Sequence, residues 1–313
     1  MVSLCALLAL LALTPRAEAI LLPMQSGGQV SVEFESPEVE ARVSVVAKGI
    51  DSQLNKINAL LGINHVLSGT VYFCDDYQSF SSKLQFEPPE WYNAVAQSGL
   101  RQIVVWVKPE QTPAMISQLL NHELMHWAIF SLPLKTQSLI PLWLHEGLAE
   151  MWSDRGLANT YQVSLAWEAM QNRLPRLSSY NLEFSTEPYR AAVGYALSKE
   201  FISYLRNKYG DSIFRRLFVS MDGGRTLDQA LIDHTGLSIV SHEQTVRANL
   251  DSWWRVVQEL YPHFFLLVVA AILLLVPFVA ARRRARRKAL HATWQSEEEV
   301  DIYDGQSDNM GNG

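Results

Sequence analysis

The chain has 313 residues, of which 48% are hydrophobic, and it carries a formal net charge of −6. This length and apolar content are enough for one sizeable domain with its own core or for two small domains. Acidic residues outnumber basic ones between residues 20 and 258, so a basic surface for nucleic acid is not expected.

An apolar run from Met1 to Leu13 is followed by Ala17-Glu18-Ala19, in which two small residues flank Glu18. This pattern predicts a secretory signal peptide, residues 1–19, that is cleaved after Ala19. The alternative is an N-terminal anchor that stays attached, but the run is too short to span a membrane well. Cys5 leaves with the signal peptide, so Cys74 has no partner within the chain and is expected to be a buried strand residue.

Strands are predicted in the first half of the chain and helices in the second. Three segments have the alternating or apolar pattern of β-strands: Gln29–Phe34, Thr70–Cys74 and Gln102–Val107. A helix is predicted from Glu38 to Leu61, where apolar residues repeat at three and four positions, and a short one from Tyr77 to Gln85. The pattern after Gln162 is helical, so the predicted fold class is α+β.

The segment Ile116–Phe130 is predicted to be a helix that starts after Thr112-Pro113, a favourable cap and first-turn pair. Two of its histidines, His122 and His126, are four residues apart, so they share one face and can bind one metal ion. Glu123 lies next to them and can act as a base without being a ligand. This spacing is typical of a catalytic metal site.

A second predicted helix supplies a third ligand. It carries Glu146 and Glu150, one turn apart in apolar surroundings, where carboxylates are costly unless they bind something. Catalytic zinc sites use three protein ligands and leave one position open, so we expect zinc to bind His122, His126 and Glu146. Glu150 is expected to accept a hydrogen bond from His122 and to fix its ring. His145 points about 100° away from Glu146 around the helix and is not expected to be a ligand.

The C-terminal part contains a membrane-length apolar segment. Residues 262–281 carry no charged side chain and are long enough to form a transmembrane helix. Six basic residues follow between Arg282 and Lys288, and the positive-inside rule makes this end cytoplasmic. Residues 20–258 are therefore expected to form a periplasmic or extracellular domain tethered to the cell (inner) membrane. The tail, residues 282–313, turns from basic to acidic and is expected to be cytoplasmic and disordered.

The strings HELMH and WLHEGLAE, with Gly194-Tyr195-Ala196-Leu197-Ser198 further along, resemble the gluzincin zinc peptidases and, within them, the peptidase MA-like proteins related to thermolysin. The resemblance extends from Val30 to about Trp254. It implies a minimal thermolysin-like core, with a small mixed sheet and the active-site helices, followed by a helical part. It also implies a donor to the oxyanion: Tyr195 stands at that place, Tyr189 is the alternative, and Gly194 is expected to let substrate approach closely.

In thermolysin-like enzymes the strand before the metal-binding helix lies along the cleft and pairs with the substrate backbone. By this resemblance Gln102–Val107 is the corresponding segment. It either has a free edge for an extended peptide or lies inside the sheet, and the sequence does not separate these two possibilities. Glu90–Ala96, just before it, either lines the same cleft or packs in the core.

Together these features predict a membrane-tethered zinc metallopeptidase that acts on a peptide or protein substrate, with Glu123 as the general base. The alternative is a zinc-binding module of the cell envelope that no longer cleaves peptides, and the intact Glu123 argues against it. An intramembrane metalloprotease using Asp222-Gly223 is disfavoured, because neither motif lies in a membrane-length apolar run. His234 and His242 lie in predicted helices and are interpreted as surface histidines.

Overall fold

The computed structural model describes residues 19–25, 27–63, 67–89, 92–153, 158–250 and 264–287, with only the backbone given for residues 158–163. The chain divides into two compact units, residues 1–253 and residues 254–313, which are described separately. The predicted signal peptide up to residue 18 and the predicted tail from residue 288 onward lie outside the described residues.

A five-stranded sheet lies in the N-terminal half of the first unit. The strands are β1 (Ile20–Pro23), β2 (Gln29–Phe34), β3 (Gly69–Cys74), β4 (Ala94–Gln97) and β5 (Gln102–Trp106), in the spatial order β1-β2-β3-β5-β4. The three central strands are parallel, and β1 and β4 pair antiparallel at the two edges. The sequence pattern predicts β2, β3 and β5 but not the two edge strands, which have only four residues each.

The two faces of the sheet are covered differently, because side chains alternate along each strand. One face belongs to the large core that the sheet shares with the helices, through residues such as Val32, Phe73 and Ile103. On the other face, Cys74 and Val104 pack against α3 (Tyr77–Ser82). Cys74 is fully buried, as predicted, and this burial raises the pKa of its thiol to about 12.

Two helices replace the single helix predicted between Glu38 and Leu61. Helix α1 (Pro37–Lys48) and helix α2 (Ile50–Leu61) are separated by Gly49, whose N–H donates to the carbonyl of Val46 at 3.0 Å. This hydrogen bond spans three residues instead of the four of an α-helix, so the chain is wound more tightly here. The apolar period continues across the break, and for this reason the sequence pattern predicts one helix.

The rest of the first unit is helical. Its elements are α4 (Pro113–Phe130), α5 (Leu134–Gln137), α6 (Leu142–Ser153), α7 (Ala158–Met170), a 3₁₀ turn (Leu177–Tyr180), α8 (Pro188–Tyr209), α9 (Ser212–Asp222), α10 (Leu227–Thr235) and α11 (Ile239–Leu250). Within the described part of the chain no strand follows Trp106. The prediction of a mixed α+β fold is therefore confirmed.

His242 of α11 is fully buried, so the prediction of a surface histidine is wrong at this position. Its Nδ1 is 3.2 Å from the Tyr204 hydroxyl, and its Nε2 is 2.8 Å from the Thr235 hydroxyl. Because hydroxyl groups both donate and accept, these two partners satisfy both ring nitrogens and allow a histidine in the core. His234 is half-buried on α10, with its Nε2 2.9 Å from the Ser220 hydroxyl.

The second unit contains one described helix, α12 (Phe264–Arg287), which overlaps most of the predicted transmembrane segment. It has 24 residues and a mean hydropathy of 3.0 over its most apolar stretch. By length and composition it can cross a membrane. Its C-terminal end carries five of the six basic residues noted above.

Candidate metal centre and active site

Helix α4 starts at the predicted cap and carries the first motif into the core. The Thr112 hydroxyl accepts a hydrogen bond from the Met115 N–H at 3.3 Å, and Pro113 occupies the first turn. Further along the helix His122, Glu123 and His126 are all buried. Buried polar side chains need partners, so three of them on neighbouring turns indicate a site and not a solvated helix face.

Helix α6 carries the second motif and is held at its first turn by Asn181. The backbone oxygen of Asn181 accepts from the Leu142 N–H at 2.9 Å, and its side-chain oxygen accepts from the Trp143 indole N–H at 3.2 Å. Further along α6, a Cβ atom at Gly147 would lie 2.7 Å from the backbone oxygen of Ser198 on α8. Glycine at this position therefore lets the two helices approach this closely.

Three side-chain atoms from α4 and α6 converge. The Nε2 atoms of His122 and His126 are 3.0 Å apart, and Oε2 of Glu146 lies 3.6 Å from the first and 3.5 Å from the second. A tetrahedral zinc ion with bonds of about 2.0–2.2 Å separates its ligand atoms by about 3.3–3.6 Å. The observed distances are close to these values, so the three residues fit a zinc ion as they stand.

The other ring nitrogens of the two histidines also have neighbours. His122 Nδ1 is 3.4 Å from Oε1 of Glu150, and His126 Nδ1 is 2.6 Å from Nδ1 of His145. A histidine that binds metal through Nε2 keeps its proton on Nδ1, and that proton needs an acceptor. Glu150 and His145 stand where these two acceptors are required. If His145 accepts that proton, its own proton lies on Nε2, a buried atom with no hydrogen-bond partner among the described residues.

His145 contacts His126, although it is not one of the three side chains whose ligand atoms converge. Its ring stacks on the ring of His126, with centroids 4.4 Å apart and planes at 13°. Burial, followed by the positive charge of His126, lowers the pKa of His145 to about 3. The ring is therefore neutral at physiological pH, as the acceptor role requires. The sequence pattern directs His145 away from the ligand face but does not show this contact.

The side chain of Glu146 is a carboxylate in a partly buried position. Burial by itself would raise the pKa of Glu146, but the positive charge of His126 and the hydrogen bonds from both histidines hold it well below its usual range. A carboxylic acid must lose its proton before it binds a metal ion. While His126 carries its positive charge, Glu146 is therefore a carboxylate, the form that can bind a metal ion once both histidines release their Nε2 protons.

Glu123 is tied to the edge strand β4. The backbone N–H of Ala96 donates to Oε2 of Glu123 at 2.8 Å. Strand β5 lies between β3 and β4, so the possibility that Gln102–Val107 offers a free edge is wrong. The outer edge belongs to β4, and the described residues of the segment Glu90–Ala96 line the cavity over the site. Because β4 is short and does not alternate in polarity, the sequence pattern does not identify it.

A cavity of about 1400 Å³ lies over the converging side chains. Sites for small molecules usually enclose about 300–1,000 Å³, so this cavity has room for several residues of a peptide. Tyr195 lines the cavity, whereas the hydroxyl of Tyr189 donates to Glu168 at 3.0 Å. Burial, followed by the negative charge of Glu146, raises the pKa of Tyr195, so its phenol is protonated and can donate.

Tyr92 is a second tyrosine at the cavity that the sequence does not single out. Burial, followed by the negative charges of Glu146 and Glu123, raises the pKa of its phenol. The only signal in the sequence is its place in the segment Glu90–Ala96.

Gly194 does not face the substrate, so the expectation of a close approach there is wrong. A Cβ atom at Gly194 would lie 2.6 Å from the Phe184 ring and 2.8 Å from the Tyr180 ring, so aromatic side chains already cover this position. The rings of Tyr180, Phe184 and Tyr195 follow one another, with centroid distances of 4.9 and 4.4 Å and interplanar angles of 17° and 3°. We call these three rings the aromatic stack.

A family model described as the Peptidase MA superfamily matches residues 50–252, a range that includes all helices from α2 to α11. The chain belongs to the Peptidase MA superfamily. The resemblance to the peptidase MA-like proteins is thereby confirmed, and membership supports a peptidase. No curated protein sequence matches this Peptidase MA chain.

Solved structures that are similar to this Peptidase MA chain include two of one enzyme. An M1 zinc metallopeptidase from Deinococcus radiodurans and a point mutant of that enzyme each match with 18% sequence identity and a TM-score of 0.43. The matches cover 75% of this chain for the mutant and 74% for the other structure, and 52% and 51% of the respective solved chains. The chain thus spans about half the length of these structures.

Proposed function

We propose that this chain is a zinc-dependent peptidase, anchored by one membrane span, with its active site outside the cytoplasm. One observation carries the proposal: the ligand atoms of His122, His126 and Glu146 converge, and the neighbouring buried Glu123 is not one of the converging residues. Structural zinc sites are closed by four ligands, whereas three leave a position for chemistry. The small mixed sheet beside the two motif helices supports the thermolysin-like zincin core that the resemblance implies.

The protein's own groups supply the proton transfers. Zinc, when bound, would polarise the scissile carbonyl and lower the pKa of water at the site. The Ala96 N–H fixes Oε2 of Glu123, and we assign Oε1 to take a proton from the attacking water. Glu123 delivers the same proton to the amine nitrogen as the peptide C–N bond breaks, which leaves the carboxylate ready for another cycle.

The outer edge of β4 suits the backbone of an extended peptide. The carbonyl of Asn93 accepts from the Trp106 N–H at 2.8 Å and so points toward β5, whereas the Ala96 N–H points away to Glu123. In an antiparallel pair these directions alternate, so Ala94 presents its N–H and C=O on the same outer side as Ala96. A peptide can add there as a further strand, and such pairing requires little particular sequence.

Tyr195 is the proposed donor to the carbonyl oxygen as that oxygen becomes negatively charged. Its phenol is protonated, lies in the field of the site carboxylates and lines the cavity. Donors aimed at a developing oxyanion stabilise the transition state more than the ground state. Loss of one such donor typically lowers kcat about a hundredfold to a thousandfold.

Helix α12 supports attachment to a membrane, and the arginines between Arg282 and Arg287 support its orientation. Basic residues next to a span favour the cytoplasmic side, so the C-terminal end is proposed to be cytoplasmic. Residues 20–258 then lie on the periplasmic or extracellular side. A cleaved signal peptide over residues 1–19 fits the same topology.

The full chain, purified in detergent, tests the proposal when it is compared with Glu123→Gln. The native protein should contain one zinc ion per chain and cleave members of a mixed peptide library. Glutamine is nearly isosteric with glutamate but cannot take the proton, so the variant should fold, keep zinc and lose turnover about a hundredfold or more. Zinc in both forms with cleavage in neither would favour the non-catalytic module. Unaltered cleavage by the variant would place the chemistry elsewhere.

A further inference from the structure

Two rings of the aromatic stack, Tyr180 and Phe184, lie on the segment that precedes α8 and contacts α6 through Asn181. Tyr180 is followed by Asn181, which holds the first turn of α6, the helix that carries Glu146. The other end of the stack is Tyr195 on α8. Phe184 lies between them, and its ring contacts both of its neighbours in the stack. The segment thus connects the helix of the third ligand to the helix of the proposed oxyanion donor.

The ring of Phe184 covers one face of Tyr195. The two planes are inclined by only 3°, and the centroids are 4.4 Å apart. A tyrosine side chain has two torsions, and a parallel ring against its face restricts both. On its other side Phe184 is backed by Tyr180, which is itself buried. The orientation of the Tyr195 ring is therefore restricted by Phe184, which Tyr180 holds in place.

Gly194 seats the stack against the helix backbone. The position that a Cβ atom would take at Gly194 is filled by the edges of the Phe184 and Tyr180 rings, at 2.6 and 2.8 Å. A larger residue would push both rings away from α8. The missing side chain at Gly194 therefore allows the Phe184 ring to pack close to the backbone of α8, next to Tyr195. This evidence is independent of the ring geometry.

We propose that Phe184 is a positioning residue, which holds the Tyr195 phenol in the orientation from which it donates to the oxyanion. This inference rests on the role proposed above for Tyr195. Phe184 also lines the cavity, so the competing explanation is direct contact between its ring and a substrate side chain. The two explanations predict different behaviour when the Tyr195 hydroxyl is absent.

A double-mutant cycle on the full chain separates them. Phe184→Leu keeps an apolar side chain but removes the flat ring, and it should lower kcat about tenfold with little change in KM. In the Tyr195→Phe background the same substitution should have no further effect on kcat, because no hydroxyl is left to position. Phe184→Tyr keeps the ring and should restore kcat. Zinc content should equal that of the native protein in every variant.

Equal kcat losses from Phe184→Leu in both backgrounds, or an effect confined to KM, would overturn the proposal. If Phe184→Leu does not fold, as judged by its melting curve, Phe184→Met takes its place in the cycle. Tyr72→Phe is the matched control, since this tyrosine contacts Lys83, does not line the cavity and should leave kcat unchanged. A native kcat in Tyr195→Phe would remove the role of Tyr195 itself, and that failure is distinct from a failure of the positioning by Phe184.

Discussion

From the contact between His126 and His145 we predict that His145 contributes to the affinity of the protein for zinc. His145→Ala removes the acceptor that lies 2.6 Å from His126 Nδ1 and leaves a buried N–H without that partner. An unsatisfied buried donor costs about 1–3 kcal/mol. Since about 1.4 kcal/mol corresponds to a factor of ten in an equilibrium constant, the Kd for zinc should rise about 5- to 150-fold. Measured losses of second-sphere partners, about 10- to 100-fold, fall in the same range.

Competition with a chromophoric chelator at neutral pH measures this Kd on the purified full chain. His126→Ala removes a ligand and should abolish stoichiometric zinc, whereas His145→Ala should bind one zinc ion with reduced affinity. His145→Asn supplies an amide oxygen as acceptor and should recover part of the loss. His234→Ala is the control, because this histidine contacts Ser220 and is absent from the cavity lining.

Native zinc affinity in His145→Ala would refute this reasoning, since the contact would then contribute nothing to ligand orientation. A complete loss of zinc in His145→Ala, equal to that in His126→Ala, would overturn the ligand assignment instead. In that case His145 would itself have to be a ligand.

Three further predictions address the donor, the helix packing and the topology. Tyr195→Phe should lower kcat about a hundredfold to a thousandfold with zinc content and melting temperature unchanged, as measured by steady-state kinetics, metal analysis and calorimetry. Gly147→Ala should cost about 1–3 kcal/mol because its Cβ meets α8, and a fall of about 2–10 °C in melting temperature is expected by calorimetry, whereas Gly99→Ala, which meets no neighbouring atom within 4 Å, should change little. Reporter fusions at Gly210 and Gly305 should report opposite sides of the membrane, and reporters on the same side would mean that the apolar segment does not span.

Local spacing in the sequence is enough to identify the candidate ligands, although their convergence also requires that α4 packs against α6. His122 and His126 share a helix face by the geometry of one turn, and Glu146 follows from a second local pattern of the same kind. The N-cap at Thr112 is also a local feature, and the structure confirms it. These features depend on residues that are close in sequence, and for this reason they could be predicted.

Contacts between distant segments could not be predicted in the same way. Nothing near Gly194 in sequence shows that Phe184 and Tyr180 cover it, because those rings reach it through the turn that precedes α8. The burial of His242 likewise depends on hydroxyl partners from α8 and α10. Strand β4 is defined by its pairing with β5, and four residues are too few for a polarity pattern.

The hydrogen bond between Ala96 and Glu123 also fixes the register of β4. A shift of this strand by one residue against β5 would turn the Ala96 N–H toward β5 and leave the buried carboxylate without that donor. Insertions or deletions between Gln97 and Gln102 that change the pairing should therefore be tolerated poorly, although this connection lies at the surface. The length of the short turn between β4 and β5 therefore determines which backbone amide donates to the carboxylate of Glu123.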